Sequence, residues 1–266
     1  RRSSDLRFSL GHLRVVGVPP DDEGFDVAAA RHAAPDAAAV VMMPLHQWPT
    51  GVRTSAARRS ALLDWCHERD AWLVELDSLG EIVHDGAAPP PLFGDDRNGR
   101  VIFIGNFLAL TFPALRIAYL VLPEPLVEVF VALRGLMGEH NPVAMQVALA
   151  GFIDNGQLAS HVRALRRLYR GRRDALVQAV RQHLPPGAHL GPLSGGTHGC
   201  LHLDRRWDDR ALAARLNARG IAVQPLSGHQ WQGRGPLNGL LLGYGADDET
   251  AIAAAIAEIG AELRGA

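Results

Sequence analysis

Apolar and polar positions follow two spacings along this chain of 266 residues, and these spacings predict strands and helices in turn. Short continuous apolar runs are typical of strands that are buried in a parallel sheet. Such runs predict strands over residues 13–18, 38–43, 71–75, 101–105 and 117–122. The run over 117–122 is the longest, so we expect its strand to be buried.

Helical spacing of apolar residues predicts the helices of the first part of the chain. They are expected over residues 25–33, 126–137, 143–153 and, as the longest, 157–183. Thr54 or Ser55 can cap a further helix that ends near Arg69. Residues 21–24 form a predicted turn, and residues 85–100 form a predicted loop rich in proline, glycine and aspartate.

The order of elements changes after residue 184. Strands are expected over 197–203, 221–224 and 239–243, with helices over 208–219 and 247–263. The whole order predicts an α/β fold with a mostly parallel sheet and helices on both faces, plus a smaller C-terminal α+β domain. We therefore expect a large domain over residues 1–155, a long connecting helix over 156–184 and a small domain over 185–266.

Composition limits the classes of protein that this chain can represent. The net charge is −1, so no overall field favours nucleic acid or an anionic membrane. No apolar run approaches the roughly 18 residues that a membrane span needs. The two cysteines, Cys66 and Cys200, are too few for a disulfide framework. They favour a reducing, cytoplasmic setting.

One candidate ligand site follows the predicted strand over 38–43. His46, Gln47 and Trp48 lie in the loop beyond this strand, where α/β proteins often bind ligands, and Trp48 could stack on a ring. The alternative is a tight loop that is packed by its own proline and glycine. Both interpretations stay open on sequence grounds.

Two further patterns have a structural and a functional interpretation. His198, Cys200 and His202 alternate, so they project from one strand face and could bind zinc. The sequence suggests no fourth ligand, which favours an ordinary strand and no metal site. An arginine stripe on the long predicted helix could contact phosphate or a partner, although a solvated, salt-bridged face is favoured. The stripe consists of Arg163, Arg166, Arg167, Arg170 and Arg173.

The chain contains no lysine, and a set of ordered segments makes this absence informative. Residues 44–51 read PLHQWPTG, residues 71–82 read AWLVELDSLGEI, and residues 104–123 read IGNFLALTFPALRIAYLVLP. With residues 164–176 and 217–227, they resemble the aminotransferase-like domain of MocR-type regulators of the GntR superfamily. In that family a winged helix-turn-helix is fused to a fold-type I domain that binds pyridoxal phosphate (PLP).

The resemblance implies a fold-type I aminotransferase-like architecture and a homodimer with its cleft near the interface. It also implies a front part of the large domain, with a glycine-rich phosphate-binding turn, that is missing before residue 11. DNA would be bound only through a separate helix-turn-helix that is not present in this chain. Arg116 matches the family's phosphate-binding arginine, so a small anionic ligand is one expected partner.

The departures from the family pattern concern the cofactor. Ala109 occupies the position of the PLP lysine, and Leu76 that of the acid expected to pair with the pyridine nitrogen. Ser78 replaces the tyrosine that faces the cofactor, and Asp77 should point to the opposite strand face. No covalent PLP is therefore expected, because an arginine cannot replace lysine as the amine nucleophile. Non-covalent binding of PLP or its amine form stays open.

Two functional interpretations of the sequence remain open. The first is a non-catalytic, aminotransferase-like effector-binding and dimerisation domain related to MocR-type transcriptional regulators. The alternative is a PLP-independent enzyme that reuses the emptied cleft, with His46 and His198 in acid–base chemistry. The candidate ligand-binding residues are Arg116, His46, Gln47, Trp48, Ser78, Asn106 and His198.

Overall fold

A computed structural model describes residues 13–138, 142–231 and 235–265 of the chain. Two four-stranded sheets organise these residues. In the first sheet the strands lie in chain order, with parallel pairing between the first three and antiparallel pairing for the last. These strands are β1 (Ala39–Met42), β2 (Trp72–Asp77), β3 (Val101–Asn106) and β4 (Ala118–Val121).

The second sheet is antiparallel, with the order β5-β6-β8-β7. Its strands are β5 (Ala188–Leu190), β6 (His198–Leu203), β7 (Gln224–Pro225) and β8 (Gly239–Gly243). The helices are α1 (Val27–Ala33), α2 (Ala56–Glu68), α3 (Leu92–Asp95), α4 (Glu124–Met137), α5 (Val143–Asp154), α6 (Gln157–His183), α7 (Asp209–Ala218) and α8 (Glu249–Arg264).

Several helices begin at side-chain caps that the sequence allows. The hydroxyl of Ser55 accepts a hydrogen bond from the backbone N–H of Arg58, so Ser55 is the residue that caps α2. The carboxylates of Asp26, Asp208 and Asp248 cap α1, α7 and α8 in the same way. Each cap satisfies a backbone N–H that has no partner inside its helix.

Two main apolar clusters pack helices against the two sheets. The first packs α1 and α2 against the first sheet, with Leu62, Leu73 and Val101 fully buried. The second packs α6, α7 and α8 against the second sheet, around buried Leu201 and Ile259. The long helix α6 thus contributes to the core of the second sheet, and its N-terminal half borders the first.

Most predicted elements are confirmed, and the differences have physical causes. Residues 13–18 form no regular strand. The prediction of a buried strand over 117–122 was wrong about burial, because β4 is the antiparallel edge of its sheet and exposes Tyr119 and Leu120. The predicted strand over 221–224 is shifted to β7. Helix α3 interrupts the predicted loop over 85–100, and the short strand β5 was not predicted.

Helix α4 is unusual because none of its residues is buried. Large apolar side chains are exposed along it and on the neighbouring α5 and β4, and Leu136 reaches 85% exposure. An exposed apolar patch of this kind marks a surface for interaction with a protein or a membrane. The helices within the three described ranges include none that is long and apolar enough to span a bilayer.

Candidate functional site

A cleft of about 480 Å³ opens where β2 and β3 end, beside the N-terminal half of α6. Parallel strands present their carboxyl ends on one edge of the sheet, which is where α/β folds commonly place ligand sites. The cleft is lined by Asp77, Ser78, Gly80, Glu81, Asn106, Phe107, Leu110, Tyr119, Ile153, Leu158, Ala159, Val162, Arg163 and Arg166.

Two of the predicted site residues meet at the strand ends. The side-chain amide of Asn106 donates a hydrogen bond to the hydroxyl of Ser78 at 3.0 Å. The amide oxygen of Asn106 accepts from the backbone N–H of Leu108, also at 3.0 Å. The structure thus brings Ser78 and Asn106 together on the cleft wall, with the serine hydroxyl free to donate a hydrogen bond.

Asp77 corrects a sequence-based expectation. Alternation along β2 predicts that its side chain points away from the cleft, yet Asp77 lines the cleft beside Ser78. The reason is that β2 ends at Asp77 and the chain turns there. The Asp77 carboxylate accepts hydrogen bonds from the backbone N–H groups of Leu79 and Gly80, at 3.2 and 2.6 Å. Asp77 therefore stabilises the turn and also places a negative charge in the cleft.

The remaining walls of the cleft are partly apolar and partly charged. Leu110 and Val162 pack with buried Ile82, and the rings of Phe107 and Tyr119 lie 5.6 Å apart. Burial raises the pKa of the Tyr119 hydroxyl, and the nearby carboxylates of Asp77 and Glu81 raise it further. Tyr119 consequently stays a neutral hydrogen-bonding group.

Charge at the cleft mouth is carried by arginines of α6. Arg166 donates to the Glu81 carboxylate at 2.7 Å and to the Glu81 backbone carbonyl at 2.5 Å. Arg163 is exposed and makes no ion pair within the described part of the chain. An acidic ligand group entering the cleft therefore meets one guanidinium that has no competing carboxylate partner.

The cleft residues do not fit covalently bound PLP. Ala109 follows the exposed Leu108 and precedes Leu110 in the cleft wall, and no lysine exists anywhere in the chain to form an imine. Leu76, at the position of the pyridine-nitrogen acid, does not line the cleft, and a leucine could not protonate a ring nitrogen. Ser78 uses its short hydroxyl to accept from Asn106.

A second group of predicted residues lies apart from this cleft. His46 is only 4% exposed, and neither of its ring nitrogens has a hydrogen-bond partner in the described ranges. The pKa of His46 is lowered to about 4, mainly by burial and also by the positive charge of Arg53 and the neighbouring His198 and His84. His46 is therefore a neutral, packed side chain at pH 7.

Trp48 and His198 are in contact within this second group. Their ring centroids lie 4.5 Å apart, and the His229 ring meets Trp48 edge-on at 5.7 Å. Burial lowers the pKa of His198, and His229 adds to this effect. The Gln47 side-chain oxygen is buried and accepts no hydrogen bond from the residues that the structure describes. Neither His46, Gln47, Trp48 nor His198 lines the cleft.

The side chains of β6 that could bind zinc make contacts with other residues. The Cys200 thiol donates to the carbonyl oxygen of Pro49 at 3.1 Å, and burial raises its pKa to about 12. His202 stacks on His189 across the β5–β6 pair, with centroids 5.3 Å apart. Among the described residues, no group of three or more histidine, cysteine or acidic side chains could hold a metal ion.

Arg116 is the residue that the family resemblance predicts to bind an anion. It is exposed and has left-handed backbone angles, φ 48° and ψ 35°, directly after the 3₁₀ turn Pro113–Leu115. Arg116 does not line the cleft. Its proposed anion contact stays a prediction that rests on the family resemblance alone.

Besides Asp77, sequence reasoning missed four polar or charged side chains of the cleft as site residues. Tyr119 lies in the segment that carries the family resemblance, but the burial expected for its strand hid its role. Arg163 and Arg166 belong to the predicted arginine stripe. The sequence showed that this stripe is basic but did not show that it borders the cleft. Glu81 gave no signal, because its pairing with Arg166 depends on the packing of α6 against the turn after β2.

Comparison with known sequences identifies regulators as relatives. The chain is 36% identical to the HTH-type pyridoxine biosynthesis transcriptional regulator PdxR of Corynebacterium glutamicum, over 94% of this chain and 53% of that protein. It is 32% identical to the probable rhizopine catabolism regulatory protein MocR of Rhizobium meliloti, over 89% of this chain and 48% of that protein. The chain thus spans about half the length of these relatives. No protein-family model matches it.

Solved structures with the same fold are aminotransferases. The kynurenine aminotransferase of Pyrococcus horikoshii superposes with a TM-score of 0.86 and 26% identity, over 94% of this chain and 63% of that one. The α-aminoadipate aminotransferase LysN of Thermus thermophilus gives 0.84 and 27%, over 95% and 66%. This chain is therefore related over most of its length to MocR-type regulators, and its fold is that of the fold-type I aminotransferases.

Proposed function

We propose that this chain is a non-catalytic, aminotransferase-like domain of a MocR-type regulator, which binds a small effector reversibly and pairs with a second copy. The observation that carries this proposal is a cleft at the position typical of α/β ligand sites, in a chain without any lysine. The regulator relatives support the assignment of the domain to transcriptional control.

The chemistry of the cleft indicates how an effector would be held. Ser78 and Asn106 offer a hydroxyl and an amide at the strand ends, and Arg163 offers a guanidinium at the mouth. Leu110 and Val162 supply an apolar wall between them. We therefore expect a small ligand with an acidic group and an apolar body, bound by hydrogen bonds and burial without a covalent step.

Pairing of two copies is supported by the apolar surface on β4, α4 and α5. The exposed side chains on this surface make few contacts with the rest of the chain, and water contact with so much apolar area is unfavourable. The cleft residues Tyr119 and Ile153 belong to the same surface. A partner that covers this surface would consequently lie beside the effector cleft.

The alternative function, a PLP-independent enzyme with histidine acid–base chemistry, has no observation in its favour. His46 is buried, neutral at pH 7 and not part of the cleft lining, and His198 is packed against Trp48. A general base must reach the proton that it abstracts. Neither histidine is placed to do so for a molecule in the cleft.

The experiment that tests the absence of covalent cofactor chemistry is a PLP titration with borohydride reduction. The chain, with its α-amino group blocked, is incubated with PLP, reduced, dialysed and measured by intact-mass spectrometry. We expect no mass increase of a pyridoxyl group, because no side-chain primary amine exists. A reduced adduct that survives dialysis on the blocked chain would contradict the proposal. A chain with a free α-amine serves as the positive control for imine formation.

A further inference from the structure

The helix α6 carries a strong local charge in a chain that is nearly neutral overall. Its 27 residues include seven arginines and a single acidic residue, Asp174, whereas the whole chain has a net charge of −1. A charge imbalance of this size on one helix acts locally, since charges further apart than a Debye length are screened. The surface of α6 is therefore a basic region.

The structure divides six of these seven arginines into two groups, and the seventh, Arg181, is exposed in the last turn of α6. Arg166 and Arg173 are paired with carboxylates, to Glu81 and to Asp85 and Asp174. Arg172 donates to the backbone carbonyl of Gly245. The second group consists of Arg163, Arg167 and Arg170, which are all exposed and form no ion pair within the described residues.

The three arginines of the second group form one row, which we name the arginine row. They lie at positions i, i+4 and i+7, so their side chains share one face of the helix over about 10 Å. This face points away from the buried residues Leu176 and Val180 of α6, and Arg163 at its N-terminal end also lines the mouth of the cleft. Like charges at this spacing destabilise a helix, so the free chain maintains the row at a cost in stability. A bound anion would relieve that repulsion.

We propose that the arginine row contacts the phosphate backbone of double-stranded DNA. This proposal rests on the proposed function, because a DNA-contacting surface would serve a protein that regulates transcription at a promoter. A duplex presents one negative charge per roughly 1.7 Å of its axis, so several phosphates fall within the length of the row. Guanidinium groups bind phosphate through two parallel donors, and such contacts position a protein on DNA without reading its sequence.

A row of arginines fits a nucleic-acid backbone better than an acidic peptide. The phosphates are regularly spaced and carry a fixed charge, whereas the carboxylates of a peptide must be ordered at a cost in conformational entropy. Asp174 is the one acidic side chain of α6 and is held by Arg173, and Asp85, whose charge Arg170 also senses, is itself paired with Arg173. The contact we infer is independent of DNA sequence and sensitive to salt.

The test measures binding of the 266-residue chain to a labelled duplex of about 20 base pairs and arbitrary sequence, by fluorescence anisotropy from about 50 to 200 mM salt. We compare the chain with the triple variant Arg163→Gln, Arg167→Gln, Arg170→Gln. The variant should bind at least about tenfold more weakly at the lowest salt. Its slope of log K against log salt should be less steep by about 3, since each phosphate contact contributes about 0.9.

The control removes three exposed arginines elsewhere, with the same change in net charge. In the variant Arg69→Gln, Arg97→Gln, Arg205→Gln the duplex affinity should fall by less than about twofold and the salt slope should stay within error. Thermal melting of both variants verifies that they are folded. The row variant should melt no lower than the parent, because it loses repulsion and no ion pair.

Three results would overturn the proposal. The first is no duplex binding by the parent chain at about 50 mM salt. The second is an equal loss of affinity in both triple variants, which would indicate net charge alone. The third is binding of polyglutamate with no binding of the duplex, which would assign the row to an acidic protein partner. None of these results affects the outcome of the PLP titration, so the proposed function is tested independently of the DNA contact.

Discussion

At the scale of single residues, Ala109, Leu76 and Ser78 are the positions where this chain departs from the PLP chemistry that the family resemblance implies. Each removes a different element of PLP catalysis, namely the imine nitrogen, the partner of the pyridine nitrogen and the ring-facing tyrosine that the family resemblance implies. The chain contains no lysine that could compensate, and the Ser78 hydroxyl accepts a hydrogen bond from Asn106. Because these losses act on separate steps, repairing one of them leaves the others in place.

The substitution Ala109→Lys will therefore not restore transamination. With PLP present, turnover of a panel of amino acids should stay at the rate of free PLP, because Leu76 cannot hold a ring proton and Ser78 cannot replace the tyrosine. The assay is formation of the corresponding keto acid, with the parent chain as the matched control. Turnover by the single variant above the free-cofactor rate would show that these losses were misread.

His46 predicts an acid-sensitive contribution to stability. Its pKa in the folded chain is lowered to about 4 mainly by burial, whereas an unfolded histidine titrates near 6.5. The unfolded state therefore binds more protons below about pH 6.5, and the free energy of unfolding should fall as pH falls from there to about 4. For a shift of this size the loss is up to about 3 kcal/mol.

Urea denaturation at pH 7 and near pH 4.5 tests this prediction. In His46→Gln the difference in unfolding free energy between the two pH values should shrink, since the group that titrates differently in the two states is gone. The matched control is His32→Gln, because His32 is exposed on α1. An unchanged pH dependence in His46→Gln would rule out His46 as the source.

At the scale of elements, β2 illustrates how a polar residue can organise a sheet. Glu75 is 1% exposed, and its two carboxylate oxygens accept hydrogen bonds from the backbone N–H groups of Leu92 and Phe93, each at 3.0 Å. Burial raises the pKa of Glu75, and these two hydrogen bonds oppose that rise. Glu75 thereby ties the start of α3 and the loop around it to the sheet.

Glu75→Gln should lower the free energy of unfolding by about 1–3 kcal/mol, the typical cost of leaving a buried polar group without its partner. The amide keeps one acceptor oxygen and places an N–H₂ group against a backbone donor, so one of the two N–H groups loses its bond. The measurement is chemical denaturation at pH 7. Glu128→Gln on the exposed α4 is the control and should change stability by less than about 0.5 kcal/mol.

At the scale of the whole molecule, the largest unexplained surface is apolar. Eleven of the exposed large apolar side chains lie on β4, α4 and α5, which is more than half of those in the described chain. Monomeric proteins seldom expose patches of this extent, and a two-fold pair covers the same patch on both copies at once. The surface therefore predicts self-association of this chain.

We expect a dimer in sedimentation velocity at tens of micromolar, roughly the range suited to an interface of ordinary size. The double variant Val131→Glu, Val147→Glu should sediment as a monomer and keep the circular dichroism spectrum of a folded chain, although the loss of the interface should lower its melting temperature. The reason is that both valines are exposed, at 67% and 66%, and place their charge where a partner would pack.

The control for this experiment is Ala211→Glu, Ala214→Glu, which adds the same charge on the exposed side of α7. It should remain dimeric. A parent chain that sediments only as a monomer would contradict the prediction, and so would a control that dissociates as readily as the valine variant.

The local sequence determined the secondary-structure elements and the absence of a side chain that could form an imine with PLP. Periodicity alone places α6 over the observed range, Ser55 caps α2 as one of the two predicted residues, and the lack of lysine excludes an internal imine in this chain. The ordered family segments led to the fold, which the solved aminotransferase structures confirm. These features depend on hydrogen bonds and side-chain types that are close in sequence, so they can be derived without the fold.

Only the tertiary structure decided which of the candidate residues share a site. Ser78 and Asn106 meet because β2 and β3 are parallel neighbours, whereas His46 and His198 are packed together away from the cleft. The burial expected for β4 was wrong because an apolar run does not reveal whether its strand is central or at an edge. Burial and proximity depend on contacts between residues far apart in the chain, and one sequence does not encode those contacts locally.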